Sequence, residues 1–251
     1  MTDMSDLTAT QRFHALANPA RFMALTERLV WPLGAVTGLL IAAGVYFALF
    51  ASPPDYQQGE TVRIMYVHVP SAWLGMLGYM VMAGASLIAL VFRHPLADVC
   101  AKSAAPIGAA FCFLALVTGS LWGRPMWGTW WVWDARLTSM LILLFLYLGY
   151  IALWATIEEP ARAARAAAVL ALVGSINVPI IHYSVVWWNT LHQPASVFRI
   201  GGPAIAASML LPLMLMALGF TFFFATLLVM RMRAEILRRR VRVLRLAKAE
   251  G

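Results

Sequence analysis

The sequence predicts an all-α, polytopic membrane protein of six transmembrane helices with both termini on the cytoplasmic side. Three observations predict it. Of 251 residues, 62% are hydrophobic and 12% charged, with a mean hydropathy of +0.77. A soluble domain carries roughly twice that share of charge. Six apolar runs reach the length of about 20 residues that crosses a hydrocarbon core of about 30 Å. The basic residues, finally, are sorted between alternate loops.

The first run covers 30–50 and ends at the breakers Ser52, Pro53, Pro54 and Asp55. The second covers 67–92 and stops at Arg93, His94 and Pro95. The third covers 104–122, with Pro106 near its start, where a missing N–H costs little. The fourth covers 137–157 and closes at Glu158, Glu159 and Pro160. The fifth and sixth cover 166–186 and 204–230. None shows the polar face at 3.6-residue period that a helix on a soluble core needs. An N-terminal segment 1–29, a six-helix body 30–230 and a basic tail 231–251 follow from these limits. Asp3, Asp6 and Glu27 with no apolar core exclude a cleavable signal peptide in the first segment.

Orientation follows from Lys and Arg. The N-terminus, the second-to-third and fourth-to-fifth loops and the tail hold 15 of them, and the opposite side holds 4: Arg63, Arg124, Arg136 and Arg199. The first set faces the cytoplasm. Loops after runs one, three and five therefore face the periplasm or its equivalent. The net charge of +8 thus belongs to the membrane surface and does not indicate nucleic acid. Arg231 to Lys248 reads as a helical extension, a surface anchor in preference to a partner-binding arm. Cys100 and Cys112 form neither a metal-type pair nor a disulfide framework.

The outward segments hold the unusual residues. Five of ten tryptophans, Trp122, Trp127, Trp130, Trp131 and Trp133, fall just before Asp134. An aromatic belt needs one or two per helix end. On a helix Trp127, Trp130, Trp131 and Asp134 share one face, so the segment is expected to lie in the interface as a platform for a flat ligand. His14 and His94 stand on the cytoplasmic side among polar residues as solvated histidines. His68 and His182 stand in apolar sequence near the same outward face, where a neutral imidazole needs a hydrogen-bond or metal partner.

Haem iron takes two axial imidazoles, and its macrocycle takes aromatic contacts. Zinc wants three or four close ligands, and no Cys or carboxylate cluster accompanies the histidines. His68 and His182 are the expected ligands, with His192 in the third outward loop able to replace either. Arg124 and Arg136 bracket the Trp segment and suit propionates. For Arg63 and Arg199, snorkelling to headgroups is an equal reading. Asp134 caps or orients the segment or meets a partner. No Cys-x-x-Cys-His is present, so haem is held by coordination alone. A membrane cytochrome b, the competing class, usually places histidine pairs at both membrane depths. A haem-conducting channel has little to line its middle beyond Asn177 and scattered Ser or Thr such as Thr118 and Ser175.

Trp127-Gly-Thr-Trp-Trp-Val-Trp-Asp134-Ala-Arg-Leu-Thr138 resembles the "WWD" signature of haem-handling membrane proteins. With Tyr66-Val-His-Val-Pro70, Pro179-Ile-Ile-His-Tyr-Ser184 and Trp187-Trp-Asn-Thr-Leu-His192, the chain resembles the cytochrome c maturation protein C (CcmC) family. The likeness covers about 55–193. It implies a bacterial inner-membrane protein that binds non-covalent haem b at the periplasmic face between axial histidines, carried over to His68 and His182. It implies that segment 122–138 is the haem platform and helps recruit a periplasmic haem chaperone (CcmE), to which haem is passed. It also implies a small membrane protein (CcmD) and an ATP-binding cassette transporter (CcmA and CcmB) as partners. The chain has no phosphate-binding Gly-x-x-x-x-Gly-Lys loop, so a non-enzymatic haem-delivery role is expected, with ATP hydrolysis left to a partner.

Overall fold

In a computed structural model, residues 18–193, 196–197 and 199–250 are described. Arg12 and His14 lie outside them. Among the described residues eight α-helices follow in chain order: α1 (Pro19–Glu27), α2 (Val30–Tyr46), α3 (Met65–Phe92), α4 (Pro95–Trp127), α5 (Ala135–Thr156), α6 (Pro160–Gly174), α7 (Asn177–Trp187) and α8 (Ala207–Glu250). With short flanking turns, and α6 and α7 taken together, six stretches are long and apolar enough to cross a membrane. The protein is a multi-pass membrane protein, all-α among the described residues.

Several ends differ from the apolar runs for identifiable reasons. α2 leaves α-geometry at Phe47 and closes with a π-turn over Phe47–Ala51, where Ser52 N–H reaches back to Phe47 O (2.8 Å). α4 starts at Pro95, nine residues before the apolar run, with His94 as its cap; His94 Nδ1 accepts from Ala97 N–H. Its polar first turns are tolerated because Asp98 and Lys102 find partners on α8, Asp98 with Arg239 (2.8 Å) and Lys102 with Glu235 (2.8 Å). The fifth run is broken at Ser175 and Ile176. Pro179 has no N–H to return to Ser175, and Asn177 Nδ2 donates to Ser139 O (2.8 Å), holding the break against α5. α8 continues through the basic tail without interruption.

Lipid tails are as apolar as leucine, so packing here depends on close approach and on buried hydrogen bonds. α4 meets α3 through small residues such as Ala101, Ala104, Ala105 and Ala115, all essentially buried. Tyr147 of α5 crosses the centre and donates to Gly75 O (2.8 Å), with the Tyr79 ring edge-on at 5.0 Å. α2 lies outside this body against α8, joined by Thr37 and Thr226 hydroxyls 3.3 Å apart.

The loops after the first and third spans meet at one end of the bundle. Trp122 Nε1 of α4 donates to Gln58 Oε1 (2.8 Å). The loop after the fifth span joins them through Thr190, whose hydroxyl donates to Asp134. His68, in the second turn of α3, faces this junction.

Candidate haem site

α4 ends where Gly128 turns left-handed (φ 75°) and donates to Arg124 O. The chain from Ser120 to Asp134 is therefore not one helix. Trp127 closes α4, whereas Trp130, Trp131 and Trp133 follow in irregular backbone. The expected single helical face of Trp127, Trp130, Trp131 and Asp134 does not form, because a residue in the left-handed region cannot continue an α-helix. Ser120 Oγ donates to Trp130 O (2.7 Å) and Arg124 donates to Gly128 O, folding the segment back over α4. Asp134 then starts α5, accepting Leu137 N–H at Oδ1 (2.8 Å).

This fold-back sorts the indoles. Trp127 and Trp131 turn inward to line a cavity with His68, His192, Arg136 and Gly119. Trp130 and Trp133 stay on the surface, 54% and 75% exposed. Trp122 packs edge-on against the His68 ring (5.7 Å). A second exposed aromatic group comes from the end of α7 and beyond, with Tyr183 stacked on Trp187 (5.2 Å, 22°) and Trp188 beside it. Sequence reading assigned no role to that second group.

The two cavity histidines are held alike. His68 Nδ1 is 3.0 Å from Ala115 O, and a carbonyl only accepts, so Nδ1 carries the proton and Nε2 keeps its lone pair. Thr118 Oγ1 stands 3.2 Å from the same nitrogen. Gly119 makes room for the ring: a Cβ there would lie 2.8 Å from His68 Cε1. His192 Nδ1 is 3.4 Å from Asp134 Oδ2, an acceptor when ionised, so Nε2 is again the free nitrogen. Its ring rests against Trp127 (4.9 Å). A neutral imidazole with one nitrogen tied to an acceptor is the form in which histidine ligates metal.

Burial raises the Asp134 pKa, but the Leu137 N–H, the Thr190 hydroxyl and His192 outweigh it, and the carboxyl titrates below its ordinary range. At His192 burial lowers the pKa, Asp134 raises it and Arg136 lowers it, leaving the ring below its ordinary value. At neutral pH the pair is therefore carboxylate and neutral imidazole.

His182 is exposed on α7 and lies outside the cavity; its ring packs against Tyr183 (4.8 Å) and only its carbonyl faces Arg136 (3.2 Å). Arg136 also donates to Ser184 Oγ and Ile181 O, both at 3.2 Å, so it fixes α7 against α5 while lining the cavity. Arg124 lies over Trp130 (5.9 Å). Arg63 is held by Glu60 and by Ala48 O, and Arg199 is exposed. From sequence Thr118 reads as a mid-span polar residue and Thr190 falls within the motif at 187–192, neither with a role at this site; for Gly119 the one signal is its closeness in the chain to Trp122.

One buried donor in the site lacks a partner. Trp131 Nε1 is enclosed without a hydrogen-bond acceptor, which is costly unless a ligand or water supplies one. The cavity measures about 80 Å³, is partly open to its surroundings and is smaller than a porphyrin. A flat aromatic ligand must part the walls or enter by one edge.

A family model described as heme exporter protein C matches residues 12–247. A heme exporter protein C from Bradyrhizobium diazoefficiens is 64% identical over 234 residues, 93% of this chain and 89% of the relative. The protein of the same description from Escherichia coli strain K12 is 48% identical over 224 residues, 89% of this chain and 90% of the relative. A Marchantia polymorpha relative, described as a putative cytochrome c biosynthesis ccmC-like mitochondrial protein, is 44% identical over 222 residues, 88% of this chain and 94% of its own.

Proposed function

Given that the chain belongs to the heme exporter protein C family, we propose that it binds haem at this cavity between His68 and His192 and passes it to a periplasmic haem chaperone for c-type cytochrome assembly. One observation carries the reading. Two imidazoles from distant parts of the chain line one cavity, each with Nδ1 engaged and Nε2 free. Nε2 is the atom that axial ligation of haem iron uses. Among the described residues no three of His, Cys, Asp or Glu gather as a metal-ion cage, which favours a two-coordinate axial arrangement over zinc.

His182 was the expected second ligand from sequence. The proposal assigns that role to His192, because His182 carries an exposed ring outside the cavity. Asp134 acts as a positioning residue: it fixes the His192 tautomer and, with Thr190, ties the third outward loop to the start of α5. The Trp131 N–H, with no acceptor of its own, suits a haem propionate or a water bound with it. Arg136 and Arg124 supply positive charge near the same groups. Trp130 and Trp133, exposed beside the cavity, suit both an emerging porphyrin edge and the chaperone surface that receives it. The Ccm partners, namely the chaperone CcmE, the membrane protein CcmD and the transporter subunits CcmA and CcmB, belong to this proposal, as does a bacterial inner-membrane location with both termini cytoplasmic. Held by coordination and packing alone, the haem is releasable.

Absorbance spectra of the detergent-purified protein test the ligands. His68→Ala and His192→Ala should each remove most of the low-spin haem, and His182→Ala should retain it. Loss of haem in His182→Ala with retention in His192→Ala would return the second ligand to α7. Retention in all three would reject bis-histidine binding.

A further inference from the structure

Opposite the imidazoles, a second cavity of about 230 Å³ opens among α3, α4, α5 and α6. Arg93, which ends α3, lies 25 residues beyond His68, about 37 Å along a helix at about 1.5 Å per residue. The cavity thus sits where α3 and α5 end and α4 and α6 begin. That is the level at which hydrocarbon gives way to lipid headgroups.

Its polar lining is unbalanced. Arg93 and Arg165 both reach it, and neither forms an ion pair among the described residues. The one carboxylate in the lining, Asp98, is already bound to Arg239 on α8 at 2.8 Å. Arg93 closes α3 in the left-handed conformation (φ 51°) that glycine or asparagine normally takes there. Below the arginines Ser86 lines the same wall, 1% exposed, with its hydroxyl beside Tyr150 and closed off from the open space. The remaining wall is small and apolar, with Ala89, Ala101, Ala164 and Ala168.

We propose that this cavity binds the phosphate group of an anionic phospholipid, with Arg93 and Arg165 holding its phosphate oxygens. Guanidinium groups pair with phosphate through parallel N–H donors. The volume is below the roughly 300–1,000 Å³ of sites that enclose drug-sized ligands, so it accepts a headgroup and leaves the acyl chains in the bilayer. At this depth the phosphodiester is the anion that the membrane itself presents. Haem suits the cavity poorly, since no aromatic plate lines it and His94 Nδ1 already accepts the Ala97 N–H. The inference is independent of the haem reading.

The full chain in detergent, exchanged with phosphatidylglycerol or phosphatidylcholine of equal chain length and examined by native mass spectrometry, tests it. Wild type should retain one phosphatidylglycerol under activation that strips phosphatidylcholine. Retention should fall about tenfold in Arg93→Gln with Arg165→Gln. Arg242→Gln with Arg245→Gln, in the basic tail, should leave it unchanged. Should the double variant not extract as a monodisperse protein, Arg165→Gln alone carries the comparison, since Arg165 is exposed and bears no ion pair. Equal retention in the cavity variants, or loss only in the tail variant, overturns the assignment. Displacement by glycerol 3-phosphate at matched concentration overturns the lipid and assigns the cavity to a soluble phosphate ester.

Discussion

At His192, burial and Arg136 pull the pKa down and Asp134 pulls it up. Iron ligation needs the neutral ring. Since the folded pKa lies below the ordinary value near 6.5, haem retention limited by His192 should persist through that pH and fail only at more acidic values. Asp134→Asn removes the upward influence, so the acid limb of a retention–pH curve should move further down. Affinity at neutral pH should meanwhile fall about 10- to 100-fold, the usual cost of losing a partner behind a ligand. An acid limb that moves up instead contradicts the arrangement. Gly119→Ala makes a complementary test, because its new Cβ would press on His68 Cε1. Alanine favours a helix interior by about 0.5–1 kcal/mol, so thermal stability should hold while haem content drops several-fold. That His68, His182 and His192 stand at one end of the bundle was legible from the count of apolar spans. Which ring turns inward was not. That depends on the rotation of α7, fixed by Ile181 burial and by Arg136 reaching the Ile181 and His182 carbonyls.

Among the helices, the turn between α4 and α5 governs how the tryptophans are shared between cavity and surface. Gly128→Ala forces a side chain into the left-handed region at a cost of about 1–2 kcal/mol. A lower melting temperature with altered tryptophan fluorescence is expected, and an unchanged melt would mean that the left-handed turn does not hold the tryptophans in place. The spans themselves could be read as uncharged runs, because lipid selects them on composition. Their ends were harder. Asp98 and Lys102 look like a loop until α8 supplies Arg239 and Glu235, contacts distant in sequence. The break at Ser175 and Ile176 lies within an unbroken apolar run, and Pro179 was its one visible sign. The tryptophan spacing fitted a helical face, yet Gly128 in the middle was the stronger signal.

Across the whole molecule, α8 is joined to α4 by the cluster of Asp98, Lys102, Glu235 and Arg239, with Trp154 beneath the two cations (4.4 and 6.0 Å). The Glu235 side chain is 9% exposed and its partners a third or more. Partial solvation screens the loss, so Glu235→Gln should cost about 1–2 kcal/mol, less than a fully buried pair. Differential scanning of the purified protein reads this; no change would mean that packing alone holds α8. The 44 residues of α8 make a rod of about 66 Å, over twice the thickness of the hydrocarbon core. Near its start Leu213 and Met216 pack in one cluster with Met65 and Tyr66, next to His68. Near its finish exposed arginines project beyond the last packed turn. Whatever grips those arginines therefore holds a lever whose far tip rests beside His68, and a twist applied at one end is carried to the other by backbone alone.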